Sequence, residues 1–208
     1  MRAILVGFGL VLLFHAPAAA FNESHLKRLL RLNVCEGCDL RGADLAGADL
    51  KGANLKAANL SEADLTGTDL SEADMTRVNL SEVEATGARF VGVNLSRANL
   101  TEAFFTEVDL TRSNLQGATL LRTELEKSVL ASANLRDSDM RGANLMNANL
   151  QKAKLRSARL TGANFEKADL TGANLKNAFY DLADIKKALL CRTRLDTGIE
   201  NQGCNQTN

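Results

Sequence analysis

Four cysteines are the residues best equipped for chemistry in this 208-residue chain. Cys35 and Cys38 form a C-x-x-C, while Cys191 and Cys204 stand near the other end. Depending on which of them meet, they could form disulfides, hold zinc or exchange electrons. Histidine, the usual acid–base group near neutral pH, occurs only as His15 and His25. The many serines and threonines therefore lack the base that a hydroxyl nucleophile needs within hydrogen-bond reach. The sequence has no phosphate-binding loop, metal-ligand cluster or dinucleotide fingerprint. These absences point away from an enzyme and imply no cofactor. Basic and acidic side chains number 25 each, so bulk charge offers no case for nucleic-acid binding.

The elements that position these residues begin after an expected export signal. Arg2 supplies a positive start, Ala3 to Phe14 is apolar, and Ala18-Ala19-Ala20 fits a cleavage site. His15 and Pro17 interrupt the run before the roughly 20 residues that a membrane span needs. Residues 1–20 are read as a signal peptide cleaved near Ala20, with no stable membrane span. The mature chain would then work in a periplasm, a thylakoid lumen or outside the cell.

A five-residue period dominates the rest. From Leu40 to Leu195 the register is unbroken through 32 pentapeptides, and the centre is Leu in 24 of them. The residue two before the centre is Ala in 21, and the one between is Asp or Asn in 21. Five fits neither the 3.6 period of a helix nor the alternation of a strand. Fixed self-similarity means a solenoid. With only 4% aromatics and no Trp, its core must be built of Leu and Ala.

Stretches such as Ala43-Asp44-Leu45-Ala46-Gly47 and Ala143-Asn144-Leu145-Met146-Asn147 resemble the pentapeptide-repeat family. The resemblance implies an all-β fold, a right-handed quadrilateral β-helix with four pentapeptides per coil and about eight coils. Residues 21–37 would form an N-terminal capping helix and lead-in, 38–197 the β-helix, and 198–208 an irregular tail.

The side-chain pattern suits that fold. Centre and minus-two residues point inward and the intervening Asp or Asn outward. Glycines such as Gly42, Gly47, Gly142 and Gly162 suit corners that need positive φ. Residues twenty apart should stack about 4.8 Å apart. Ala85 would then sit below Phe105, a small residue making room for a large one. Asp44, Asp64 and Glu84 would form an acidic ladder, for which solvation is a simpler expectation than bridging calcium. Asn22 to Asn33 reads as a lid helix with Leu26, Leu29 and Leu30 on one face and a solvated His25. At the far end, Phe179, Tyr180, Leu182 and Leu189 are expected to pack under the tail.

A rod of roughly 35–40 Å, about eight strand spacings, keeps the two cysteine pairs apart. That separation leaves only Cys35–Cys38 and Cys191–Cys204 as partners and excludes a four-cysteine zinc site. Cys191–Cys204 resembles the terminal bracket of exported family members, and export favours its oxidation. For Cys35 and Cys38, two readings stay open, a bridge or two thiols in the core.

The exterior carries the functional candidates. One face collects Lys56, Arg77, Arg97, Arg136, Arg156 and Lys176, with Lys154 and Arg194 beside them, against Asp74, Asp137 and Asp196. Another is rich in acids. Phe104 stands where solvent is expected and is a second contact candidate, with Leu121, Val129 and Met146 as lesser departures. Two functions follow. The first is a non-enzymatic, rigid interaction module outside the cytoplasm with an unidentified, acidic protein partner. The second, implied by family members that mimic DNA and protect topoisomerases, is disfavoured by the neutral charge and the export signal.

Overall fold

A computed structural model of the chain describes residues 21–204, so the signal-peptide assignment lies outside the described residues. Asn22 opens helix α1 (Glu23–Leu32) by accepting the amide protons of Ser24 and His25 on Oδ1, at 2.9 and 3.4 Å. That arrangement satisfies two amides that would otherwise lack partners. Asn33 ends the helix in the left-handed region at φ 56°, its N–H bound to the Leu29 carbonyl. Leu29 is fully buried over the first coil, with Phe21 and Leu26 packed beside it. Leu30 faces solvent, contrary to expectation. The chain turns into the solenoid at Val34, and helix geometry swings Leu30 away from the cap.

From Val34 onward, single parallel bridges join residues twenty apart, as in Asp44 to Asp64 to Glu84 and Asn54 to Asp74 to Asn94. One coil is therefore four pentapeptides, and the fold is an all-β solenoid. Each repeat contributes its pairing in both directions. The Leu40 amide donates upward to Asn59 O at 2.7 Å, and the Asn59 amide donates downward to Cys38 O at 2.8 Å. Between repeats, the residue after each corner closes a turn, as Ala43 N does to Leu40 O at 3.1 Å. Backbone polar groups are thus paired coil to coil, as burial requires.

The corner residue has φ between 52° and 72° at every corner from Gly37 to Asn177. Glycine was the expected occupant, yet Arg77, Arg97 and Asp137 adopt the same conformation. The adjacent coil holds them there, for example through the Arg97 amide to Gln116 O at 3.0 Å. Tertiary hydrogen bonding overrides the local preference.

The interior is a continuous column of Leu and Ala. Its polar exceptions are largely satisfied. Thr68, Thr123 and Thr193 donate their hydroxyls to the carbonyls of Leu45, Leu100 and Leu170 at 2.7–2.8 Å. Phe105 is buried one coil above Ala85, and its ring centre lies 5.1 Å from that of Phe90. Phe90 belongs to the Ala85 coil, so the Phe105 ring reaches down into the level where Ala85 leaves space.

The far end departs from the expected pattern. Helix α2 (Leu182–Ile185) replaces one side of the last coil, after which pairing resumes at Leu189 and Arg194. The tail is no irregular cover. Strand β1 (Thr193–Leu195) pairs antiparallel with β2 (Gly198–Glu200), and the Leu190 amide bonds to Gln202 O at 3.1 Å. Tyr180 packs against the core and Leu189 lies against Gly203 of the tail, but Phe179 and Leu182 are 65% and 53% exposed. A three-residue strand is too short to reach over them.

Candidate functional site

Both cysteine pairs are bridged. Cys35–Cys38 has a Cα separation of 5.3 Å and Cys191–Cys204 one of 4.7 Å, within the range a disulfide needs. Cys35 and Cys38 are 0% and 2% exposed, which resolves the open reading in favour of a core bridge and shields it from exchange partners. The Cys35 sulfur sits 3.2 Å from the His25 carbonyl oxygen.

His25 is not the solvated side chain expected. Half-buried, it accepts the Asp39 amide proton on Nδ1 at 3.0 Å. It ties the lid to the first coil. No signal in the sequence marks this, because the pairing depends on how the helix docks.

The Asp and Asn residues between inward positions do more than face solvent. Their Oδ1 atoms accept the amide two residues on, at 2.9 Å in Asp64 to Thr66 and 3.2 Å in Asn79 to Ser81. Their amides also stack along the rod. Asn79 and Asn99 each donate to the asparagine one coil below at 3.0 Å. The preference for Asp or Asn is thus structural. In the acidic ladder, Asp44, Asp64 and Glu84 each accept a local amide. Among the described residues no group of three or more His, Cys, Asp or Glu is placed to hold a metal ion.

Several of these carboxyls are held below the usual aspartate range. Hydrogen bonds from Arg41 do this for Asp39, and those from Arg141 for Asp139. Thr66 and Ser71 act likewise on Asp64 and Asp69. At Asp74 burial pushes upward but is outweighed by Thr76 and Lys56. A depressed folded-state value means stability that is complete above the unfolded value of about 3.9 and lost as pH falls through the folded one. Thermal unfolding should therefore be flat from neutrality to about pH 5 and fall below about pH 4. Asp139→Asn should flatten that fall, and an identical pH profile would remove Asp139 from the account.

Away from the candidate face the basic residues are mixed. Arg41, Arg89, Arg122, Lys127, Arg141, Arg159 and Lys187 stand beside acids, while Lys51, Arg112, Lys152 and Arg192 join no ion pair among the described residues. Of the candidate face, only Lys56 stands beside an acid, bonded to Asp74 at 3.2 Å. Arg77, Arg97, Arg136, Arg156 and Lys176 are exposed, and none joins an ion pair among the described residues. Lys154 and Arg194 share that condition on the flat beside them. The positions lie along one corner of the rod. Shallow hollows of about 420, 390 and 260 Å³ follow the same corner, the first between Lys56 and Arg97 and the last between Gln116 and Arg156. Phe104 is elsewhere, 48% exposed between Glu84 and Glu124 in the acidic column. Leu121, Val129 and Met146 are half-buried and make no surface of their own.

Comparison with known proteins accords with the geometry. A family profile described as pentapeptide repeats matches in overlapping segments across residues 34–126, and one described as a pentapeptide repeat region matches 108–185. No curated protein sequence matches. Among solved structures, trypsin-treated QnrB1, a plasmid-mediated fluoroquinolone resistance protein, is 20% identical with a TM-score of 0.52. That match covers 74% of this chain and 77% of QnrB1. HetL, involved in heterocyst differentiation regulation in Nostoc sp. strain PCC 7120, is 27% identical with a TM-score of 0.42, over 77% and 91% of the two chains. A protein of the Arabidopsis thaliana thylakoid lumen is 22% identical with a TM-score of 0.25, over 64% and 69%. At these levels the QnrB1 likeness speaks for fold alone. Among the described residues no helix is long and apolar enough to cross a membrane.

Proposed function

The chain belongs to the pentapeptide repeat family, and we propose that it serves as a rigid, non-enzymatic interaction module whose basic corner engages an acidic partner. The proposal includes export after cleavage near Ala20 and a right-handed rod of about eight coils. One observation carries it, the run of exposed cations Arg77, Arg97, Arg136, Arg156 and Lys176 along a single corner, none of them in an ion pair among the described residues. Isolated exposed ion pairs add little stability, so folding gives no reason for the run. A field of one sign would steer an acidic partner and weaken with salt. The rod supplies what a flexible basic tail lacks, charges fixed in register before contact.

Replacing Arg97, Arg136 and Arg156 together by Glu tests this. The variant should fold, because Glu62, Glu72 and Glu82 already occupy the corner conformation of Arg97, and Glu126 and Glu166 already occupy the repeat position of Arg136 and Arg156. It should lose salt-sensitive capture of acidic partners from the native compartment. Equal capture by the folded variant would leave the corner as solvated surface.

A further inference from the structure

We propose that Phe104, with Glu84 and Glu124 stacked on either side, binds an arginine side chain from a basic segment of a partner protein. The site is separate from the basic corner and does not rest on it. Folding gives no reason for an aromatic ring here. The same repeat position is Asp or Asn in 21 of the 32 pentapeptides, where its side chain accepts an amide two residues on, as Asp64 does at 2.9 Å. Phenylalanine has no acceptor for that bond, and Phe104 is 48% exposed.

The surroundings name the occupant. Phe104 is bridged to Glu84 one coil below and to Glu124 one coil above, each about 4.8 Å away along the rod. Each carboxylate is held through one oxygen. Glu84 accepts the Thr86 amide at 3.0 Å and the Thr86 hydroxyl on Oε1, and Glu124 accepts a proton from Asn144 Nδ2 on Oε2 at 2.8 Å. Glu84 Oε2 and Glu124 Oε1 are left for a ligand. Neither glutamate joins an ion pair among the described residues, nor does Glu82 on the adjacent corner. The nearest cations on this face and its corners are already engaged, Arg122 by Glu102 and Lys127 by Glu107.

An aromatic ring attracts a cation over its face. The planar guanidinium of arginine can stack there while its N–H donors reach the flanking carboxylates. The charge turns away other partners. Nucleic acid and anionic lipid are repelled by the glutamates, and an apolar surface would strip water from Glu82, Glu84 and Glu124 without replacing it. Asp64 and Asp44 continue the column below Glu84. A segment with further basic residues therefore gains contacts along the rod that a lone cation cannot.

The test titrates an oligo-arginine peptide into the mature protein by calorimetry at low and high salt. Binding is expected and should weaken with salt. Phe104→Leu keeps an apolar side chain and removes the ring. It should weaken binding about two- to fivefold, the worth of an exposed cation–π contact, and Phe104→Tyr should retain full binding. Glu84→Gln/Glu124→Gln should cost about tenfold. Asp49→Asn/Glu72→Gln removes equal charge from neighbouring surface and should cost less than about twofold. Thermal melts establish that every variant is folded. No salt-sensitive binding, equal affinity in Phe104→Leu and the unaltered protein, or equal losses in the two carboxylate variants would overturn the site. Oligo-lysine or spermine binding as tightly as oligo-arginine would overturn the arginine assignment. The charge-reversed corner variant should bind the peptide at least as tightly as the unaltered protein, so the two readings fail separately.

Discussion

Phe105→Ala is expected to be among the most damaging single changes in the rod, at about 3–5 kcal/mol. The residue is fully buried and its ring lies against Phe90. Removing it opens a void above Ala85, where a neighbour is already small, and paired strands on every side limit collapse. The reciprocal change, Ala85→Leu, overfills the same space and should cost about 1–3 kcal/mol. The combination Ala85→Leu/Phe105→Leu returns both positions to the common residue of the repeat. It should be more stable than the sum of the Ala85→Leu and Phe105→Leu effects allows. Urea unfolding of the four proteins measures the coupling. Strict additivity would show that the two side chains do not share one space.

Removing the bridge at the far end is expected to have the second large effect. Cys191 and Cys204 are thirteen residues apart, and a loop of about that length is worth close to 3 kcal/mol in chain entropy. Between them lie β1 and β2, and the Leu190 amide, just before Cys191, bonds to Gln202 within the loop. Cys191→Ala/Cys204→Ala should let this hairpin open and uncover Leu190 and Leu195, which are 1% and 3% exposed. Repeat stacks fray from their ends, so hydrogen exchange should quicken from Ile185 to Leu195 while coils 40–160 stay protected. Cys35→Ala/Cys38→Ala opens a much shorter loop, three residues apart, and should cost less. Unchanged exchange at the C-terminal end would deny the bridge its stapling role.

Several features were legible in the residues alone, and the reason is translation. A five-residue period repeated in fixed register must place equivalent residues in equivalent surroundings. The solenoid, the inward Leu and Ala, the stacking of Ala85 beneath Phe105 and the lid helix from Asn22 to Asn33 all follow from local pattern. So does the candidate corner, because a twenty-residue repeat turns sequence arithmetic into surface columns. The tertiary structure decided what breaks translation or depends on docking. His25 accepts the Asp39 amide only because the lid settles at one angle. Leu30, Phe179 and Leu182 remain exposed because the ends are where stacking stops. Corner residues such as Arg97 take a left-handed conformation that their own preferences oppose, held by the coil above. Column arithmetic places Arg122 over Glu102 and Arg89 over Asp69, but the pairing of Lys56 with Asp74 crosses between columns and depends on how far each side chain reaches in the folded rod.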